Sequence, residues 1–226
     1  YDVLGRPLEV KRSDPQHPGD LVAVRTMIYD DQSMPRSVHE TSYADSISSV
    51  EHYSYFDGLG RVIEQKREGP GGQWVTSGAL FDLRGQVRKT LQPYFSSSSD
   101  FEALDETKLG EAFAYDALGR VTSITNPLGT ITTNYEGWKR VVADMNGNQK
   151  EYESDARGRL VLVTERNGEE QYVSRYTHDG LGRLVSLTDA EENSREFTYD
   201  SLGQRLSQTA PHAPERPASF WSYVYD

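Results

Sequence analysis

A six-residue motif, aromatic-Asp-x-x-Gly-Arg, recurs along the chain and limits its folding more than any other feature. It reads Tyr1-Asp2-Val3-Leu4-Gly5-Arg6, Phe56-Asp57-Gly58-Leu59-Gly60-Arg61, Phe81-Asp82-Leu83-Arg84-Gly85-Gln86 and Tyr115-Asp116-Ala117-Leu118-Gly119-Arg120. Three more copies follow: Ser154-Asp155-Ala156-Arg157-Gly158-Arg159, His178-Asp179-Gly180-Leu181-Gly182-Arg183 and Tyr199-Asp200-Ser201-Leu202-Gly203-Gln204. Two degenerate sites fill the widest gaps, Tyr29-Asp30 with Pro35-Arg36, and Tyr135-Glu136 with Gly137 and Lys139-Arg140. With the closing Tyr225-Asp226, successive acidic positions lie 28, 27, 25, 34, 20, 19, 24, 21 and 26 residues apart. Self-similarity at about 20–50 residues marks a repeat architecture in which each copy is one supersecondary unit.

Each copy has the chemistry of a turn. Asp opens a type I turn because its carboxylate accepts backbone N–H groups inside it, and Gly three residues later takes positive φ without a Cβ clash. A type I turn followed by a left-handed Gly is the bulged hairpin connection. Asp-x-x-Gly is thus predicted to be the tip joining two antiparallel strands.

The flanks agree. Two residues after the Gly stands an aliphatic side chain in five of the seven copies: Val62, Val87, Val121, Leu160 and Leu184. On the incoming side, the positions one and three before the Asp share a strand face. They hold Phe113 and Tyr115, Phe197 and Tyr199, Tyr223 and Tyr225, with Tyr152 and Tyr176 at the outer site where the inner one is Ser154 or His178. With Tyr1, Phe56 and Phe81, these two positions take eleven of the 24 aromatic residues, which predicts a stacked ladder.

A lone hairpin is marginal in water, but hairpins paired edge to edge stabilise one another, and the sheet twists as it lengthens. The expected fold class is all-β: a repeat-built antiparallel β-hairpin array that curls. Composition fits a thin sheet, since apolar residues make up only 35% of the 226 positions and mean hydropathy is −0.71. The abundance of Tyr, 14 residues, separates the chain from disordered sequences, which lack surface to bury. The formal charge of −11, with no basic run, argues against a nucleic-acid partner. The absence of cysteine removes disulfides, thiol catalysis and Cys-ligated zinc. No apolar stretch reaches the ~18 residues of a membrane span.

The chain reads as one continuous repeat segment over 1–226. Because it opens at one tip and closes at another, leaving strands without partners, it is expected to be a piece of a longer array. Residues 92–112 are expected to form an insertion outside the sheet, with Ser99 or Asp100 capping a short helix ahead of Phe101 and Leu104. Asp14 to Gly19, with Pro15 and Pro18, is a predicted loop, and Pro211 to Pro217 is predicted to break pairing before the last strand.

These motifs resemble the YD-repeat, or RHS, family, whose hallmark is Tyr-Asp-x-x-Gly-Arg at comparable intervals. Phe56-Asp57-Gly58-Leu59-Gly60-Arg61, Trp74-Val75-Thr76-Ser77-Gly78, and Phe81-Asp82-Leu83-Arg84-Gly85 with Pro93-Tyr94-Phe95 are similar to the RHS region of B-type subunits of Tc insecticidal toxins. The resemblance implies strands wound into part of a hollow shell or tube that encloses a toxic C-terminal polypeptide, as in bacterial polymorphic toxins. It also implies a secreted or cell-surface bacterial location. The partners it implies are the remaining RHS repeats, the enclosed polypeptide and other toxin-complex subunits. The family's Arg-Tyr-Tyr-Asp-Pro-x-x-Gly segment, associated with self-cleavage, does not occur; Asn126-Pro127-Leu128-Gly129 lacks the Asp.

No residue pattern points to catalysis, a cofactor or a metal. The tip aspartates are expected to fix their own turns. His17, His39, His52, His178 and His212 lack metal-ligand spacing, and His178 occupies an aromatic slot. Asp144-Met145-Asn146-Gly147-Asn148 and Asp189-Ala190-Glu191-Glu192-Asn193 offer clustered oxygens to calcium but complete no known loop, so they read as reverse turns. Gly69-Pro70-Gly71-Gly72 lacks the Lys of a phosphate loop and reads as a hairpin tip. The arginine after each Gly (Arg6, Arg61, Arg120, Arg159, Arg183) is expected to pair with the Asp of a neighbouring tip, such as Asp116 with Arg159, and to set register. The function expected is structural, a wall segment that encloses or displays another polypeptide. The alternative is an adhesion or glycan-binding module using Trp74, Trp138, Trp221 and the tyrosines.

Overall fold

The computed structural model describes residues 1–14, 17, 19–44, 48–211 and 219–226. The chain divides into two compact units, one of Tyr1–Ala114 with Thr125–Pro127 and one of Tyr115–Ile124 with Leu128–Asp226. In the first, β1 (Glu9–Ser13), β2 (Leu21–Asp30), β3 (Arg36–Tyr43), β4 (Ser49–Phe56), β5 (Val62–Glu68), β6 (Trp74–Phe81), β7 (Val87–Ser96) and β8 (Gly110–Tyr115) follow one another. Each pairs antiparallel with the next. Then come β9 (Val121–Asn126), β10 (Gly129–Glu136), β11 (Lys139–Ala143), β12 (Gln149–Ser154), β13 (Leu160–Asn167) and β14 (Glu170–His178). The last are β15 (Leu184–Thr188), β16 (Ser194–Tyr199), β17 (Arg205–Thr209) and β18 (Phe220–Ser222). From β10 onward consecutive strands again pair antiparallel. The fold is all-β, with no α-helix among the described residues.

The meander places the Asp-x-x-Gly copies at alternate connections, so within each unit they share one sheet edge. The register slips at five motif hairpins: Phe56 opposes Val62, Phe81 opposes Val87, Ser154 opposes Leu160, His178 opposes Leu184 and Tyr199 opposes Arg205. That slip is the predicted bulge. The opposite edge carries the connections of variable length, including Gly69 to Gln73 with its short 3-10 turn at Pro70–Gly72. The loop around Pro15 and Pro18 and the break after Pro211 fall largely outside the described residues, and His212 lies among those.

The stretch 92–112 divides. Gln92 to Ser96 complete β7, residues 97–109 leave the sheet, and Gly110 begins β8. The helix expected at Ser99 or Asp100 does not form, because the backbone there bonds to the sheet instead of to itself. The Ser99 carbonyl accepts the Tyr55 hydroxyl at 2.5 Å, the Ser98 carbonyl accepts Lys66 Nζ at 3.0 Å, and the Glu102 N–H donates to Glu64 Oε2 at 3.3 Å. Phe101 packs on Tyr55 with ring centroids 5.5 Å apart. The segment is an extended strap lying across one face of β4 to β7.

Buried apolar residues are few among those described: Met27, Tyr55, Leu91, Val163 and Phe197. Among the described residues the largest side chains with less than 2% exposure are Glu64, Lys66 and Thr76, all beneath the strap. Gly78 makes that closeness possible beneath the strap, and Gly110 allows a like approach of β8 to β7. A Cβ on Gly78 would stand 2.4 Å from the Ile63 carbonyl and 2.7 Å from Leu104 on the strap, and one on Gly110 would stand 2.0 Å from the Thr90 carbonyl.

Gly78→Ala is therefore expected to lose about 1–3 kcal/mol of stability, whereas Gly58→Ala, whose Cβ would meet nothing within 4 Å, should stay within about 0.5 kcal/mol of wild type. Urea denaturation of both variants checks this; equal losses would refute the strap contact as the cause.

Candidate functional site

The tips are the most regular chemical feature of the molecule. In each copy the Asp Oδ1 accepts two backbone N–H bonds, from the residues two and four positions on. For Asp57 the donors are Leu59 and Arg61, both at 2.9 Å. The pattern repeats at Asp2, Asp82, Asp116, Asp155, Asp179 and Asp200. The Gly N–H closes the turn on the Asp carbonyl, and Gly5, Gly60, Gly85, Gly119, Gly158, Gly182 and Gly203 have φ between +77° and +88°. Only glycine takes that conformation without strain.

The arginines bind closer to home than the sequence suggests. Arg6, Arg61, Arg120, Arg159 and Arg183 each fold back on the Asp of their own turn, four residues earlier, with contacts of 2.5–2.7 Å. Arg159 thus holds Asp155, not Asp116. The bulge explains the difference, since it leaves the Arg beside its own carboxylate.

The contact to the next repeat is made by the outer face and the far nitrogen of the same guanidinium. Arg6 lies over the Tyr29 ring at 4.0 Å, Arg61 over Phe81 at 4.0 Å, Arg120 over Tyr135 at 4.1 Å and Arg183 over Tyr199 at 5.0 Å. Nη1 also donates across: Arg61 to the Gly85 carbonyl, Arg159 to that of Asp179, and Arg183 to that of Asp200, at 2.8–3.0 Å. Arg6 alone among the five reaches a neighbouring carboxylate, Asp31 at 2.6 Å. The ring then binds back. The hydroxyls of Tyr29, Tyr135, Tyr199 and Tyr225 donate to the carbonyls of Pro7, Val121, Leu184 and Arg205, each two residues past the preceding Gly. The expected aromatic ladder is thus, at these rungs, an alternation of guanidinium and ring.

The two stretches considered for calcium use the same turn at the opposite edge. Asp144 Oδ1 accepts the Asn146 and Asn148 N–H groups and Oδ2 the Asn148 amide; Asp189 does the same with Glu191 and Asn193. Asn replaces Arg as the residue that closes the carboxylate. Both are thus the reverse turns that the sequence suggests. Among the described residues no group of His, Asp and Glu is arranged to hold a metal ion. His17 is exposed beside Asp14, His39 stacks on Tyr53 at 4.2 Å, and burial pushes the His52 imidazole down. Trp138 and Trp221 are 62% and 51% exposed.

The turn bonds hold the tip carboxyls of Asp2, Asp57, Asp82, Asp116 and Asp179 below the usual range. The Arg159 side chain, followed by its N–H, draws Asp155 down to about 2. A carboxyl depressed in the folded state adds stability above its unfolded value, and that contribution is lost as pH falls toward the folded value. The stability gap between wild type and Asp155→Asn in urea denaturation should therefore narrow from about pH 4 to about pH 2; a constant gap would count against the tip bonds. In a double-mutant cycle, Arg183→Ala and Tyr199→Ala should couple by about 0.5–1 kcal/mol, and strictly additive losses would dissolve that rung.

Comparison with known proteins gives the same picture. Residues 115–170, 155–194 and 178–213 each match the family model for the RHS Repeat. No curated protein matches the sequence. Among solved structures, the TcdB2-TccC3-TEV and TcdB2-TccC3-Cdc42 crystal structures superpose with TM-scores of 0.54 and 0.56 at 13% identity, each over 82% of this chain and 14% of theirs. The Tc holotoxin pore of Photorhabdus luminescens, carrying a TccC3 point mutation, gives 0.57 at 14% identity over 85% of this chain and 14% of that one. The chain spans about a seventh of these proteins, and at such identity the likeness is one of fold. Residues 115–213 match the RHS Repeat family model, and in motif and fold the chain resembles the RHS/YD-repeat family and these Tc toxin structures.

Proposed function

We propose that this chain is a structural wall segment, part of an RHS shell that encloses or displays a polypeptide lying C-terminal to it. The observation that carries the reading is the tip ladder. At the rungs described it fastens one hairpin to its neighbour along an edge, and among the described residues only a handful of apolar side chains are buried. A layer built this way needs no thick core and leaves sheet face free to border a cavity. The repeats at 115–213 and the fold shared with Tc toxin subunits support the same reading.

On this reading the partners are further RHS repeats, the enclosed polypeptide and other toxin-complex subunits, and the setting is a secreted bacterial toxin. No catalytic residue is assigned; the tip residues serve the wall. The exposed Trp138 and Trp221 keep adhesion to glycans as the second reading.

Limited proteolysis of the full-length polypeptide tests enclosure. A C-terminal portion should resist cleavage while the repeats are folded and be cut once urea opens them. Equal cleavage rates in both states would overturn the proposal, and selective glycan-array binding that is lost in Trp138→Ala would put adhesion in its place.

A further inference from the structure

The strap of the first unit closes over charges that a single-layer wall does not need. Glu64 and Lys66 lie on the face of β5 that the strap covers, 1% and 0% exposed. Lys66 Nζ stands 3.7 Å from Glu64 Oε1 and 3.1 Å from Glu102 Oε2 on the strap, and it donates to the Ser98 carbonyl at 3.0 Å. Two carboxylates thus share one ammonium. Glu64 Oε2 receives the Glu102 N–H, but the buried Oε1 has no hydrogen-bond partner. A carboxylate oxygen in that position is costly while ionised and is relieved by a proton.

The surrounding groups do not supply the missing charge. From β4 come Tyr53 and Tyr55, from β7 Tyr94, and from the strap Asp100, Asp105 and Glu102; the strap's Lys108 lies over the Tyr94 ring and pairs with Asp105 at 3.5 Å, so Lys66 is the cation that acts on Glu64. Across the sheet Glu64 faces Gly78, and Lys66 faces Thr76, which offers no charge.

We propose that Glu64, Lys66 and Glu102 form a proton-operated latch, in which closing the strap over β4 to β7 takes up a proton on Glu64 and opening it releases that proton. Burial pushes the Glu64 carboxyl above the usual range in the closed state, while an opened strap returns it to water and its ordinary value. The closed state therefore binds more protons. Raising the pH through the closed-state value loosens the strap, and mild acid tightens it. This mechanism stands on the first unit alone and does not depend on what the wall encloses.

Hydrogen exchange of the intact chain from pH 5 to 8, corrected for intrinsic rates, reads the latch directly. Protection of the peptide over residues 97–109 should fall with rising pH, by up to about tenfold per unit for one linked proton, while β13 to β14 serve as an internal reference. In Glu64→Gln the protection should be higher at pH 8 and flat with pH. A pH-independent strap in wild type, or an unchanged dependence in Glu64→Gln, would overturn the latch. Should that variant fail to fold, the carbon-13 titration of Glu64 in wild type decides. A midpoint above about 4.3, the ordinary value, supports the latch, and an ordinary midpoint removes it.

Discussion

A carboxylate held by two backbone N–H groups fixes each of the seven motif tips, closed in five of them by an arginine, and the ladder contacts described are positioned from it. The two N–H bonds set the turn, and the turn sets the bulge. The bulge places the arginine where one edge of its guanidinium meets its own Asp while its face meets the ring of the next repeat. Any single exposed ion pair of this kind is weak. Here the same cation is shared by a carboxylate, an aromatic face and a backbone carbonyl, and the aromatic hydroxyl bonds back across the joint. The strength lies in repetition, because each hairpin gains a neighbour on either side.

Beyond the tips the sheet is thin, and where it thickens it does so by a local device. Residues 97–109 supply a second layer over β4 to β7, and there alone among the described residues do large side chains become fully buried. What they bury is polar. Burial, foremost, pushes Tyr55, whose hydroxyl bonds the strap, up to about 12. The second unit has no such cover among its described residues. Its least exposed carboxylate, Glu151, is instead gripped by Lys139 and Arg166 from the strands on either side.

Turn chemistry was legible in the sequence because it is local. Asp and Gly three residues apart specify a carboxylate acceptor and a left-handed residue whatever surrounds them, and all seven copies fold that way. The role of the arginine was not legible, because it depends on where a bulge aims a side chain and on a ring about 15–23 residues further on. Asp144 and Asp189 were legible as turns because that chemistry is local, whereas the part their Asn plays four residues on, closing the carboxylate where the motif has Arg, is visible only in the structure. The strap escaped because helix propensity speaks for a segment in isolation, whereas Tyr55, Lys66 and Glu64 had already claimed its backbone groups.

The two edges of the meander have different tolerances for change. Along the motif edge, a connection that ends in arginine must aim it at the ring of its neighbour, so the tip's own length cannot drift without losing the rung. The other edge has no such measurement to keep. There the chain makes a turn of a few residues at Gly168, a 3-10 loop at Pro70–Gly72 or the whole strap between β7 and β8. New sequence can therefore enter between any two repeats from that side while the register of the array is preserved, which gives an inheritable structure a place to acquire parts without being rebuilt.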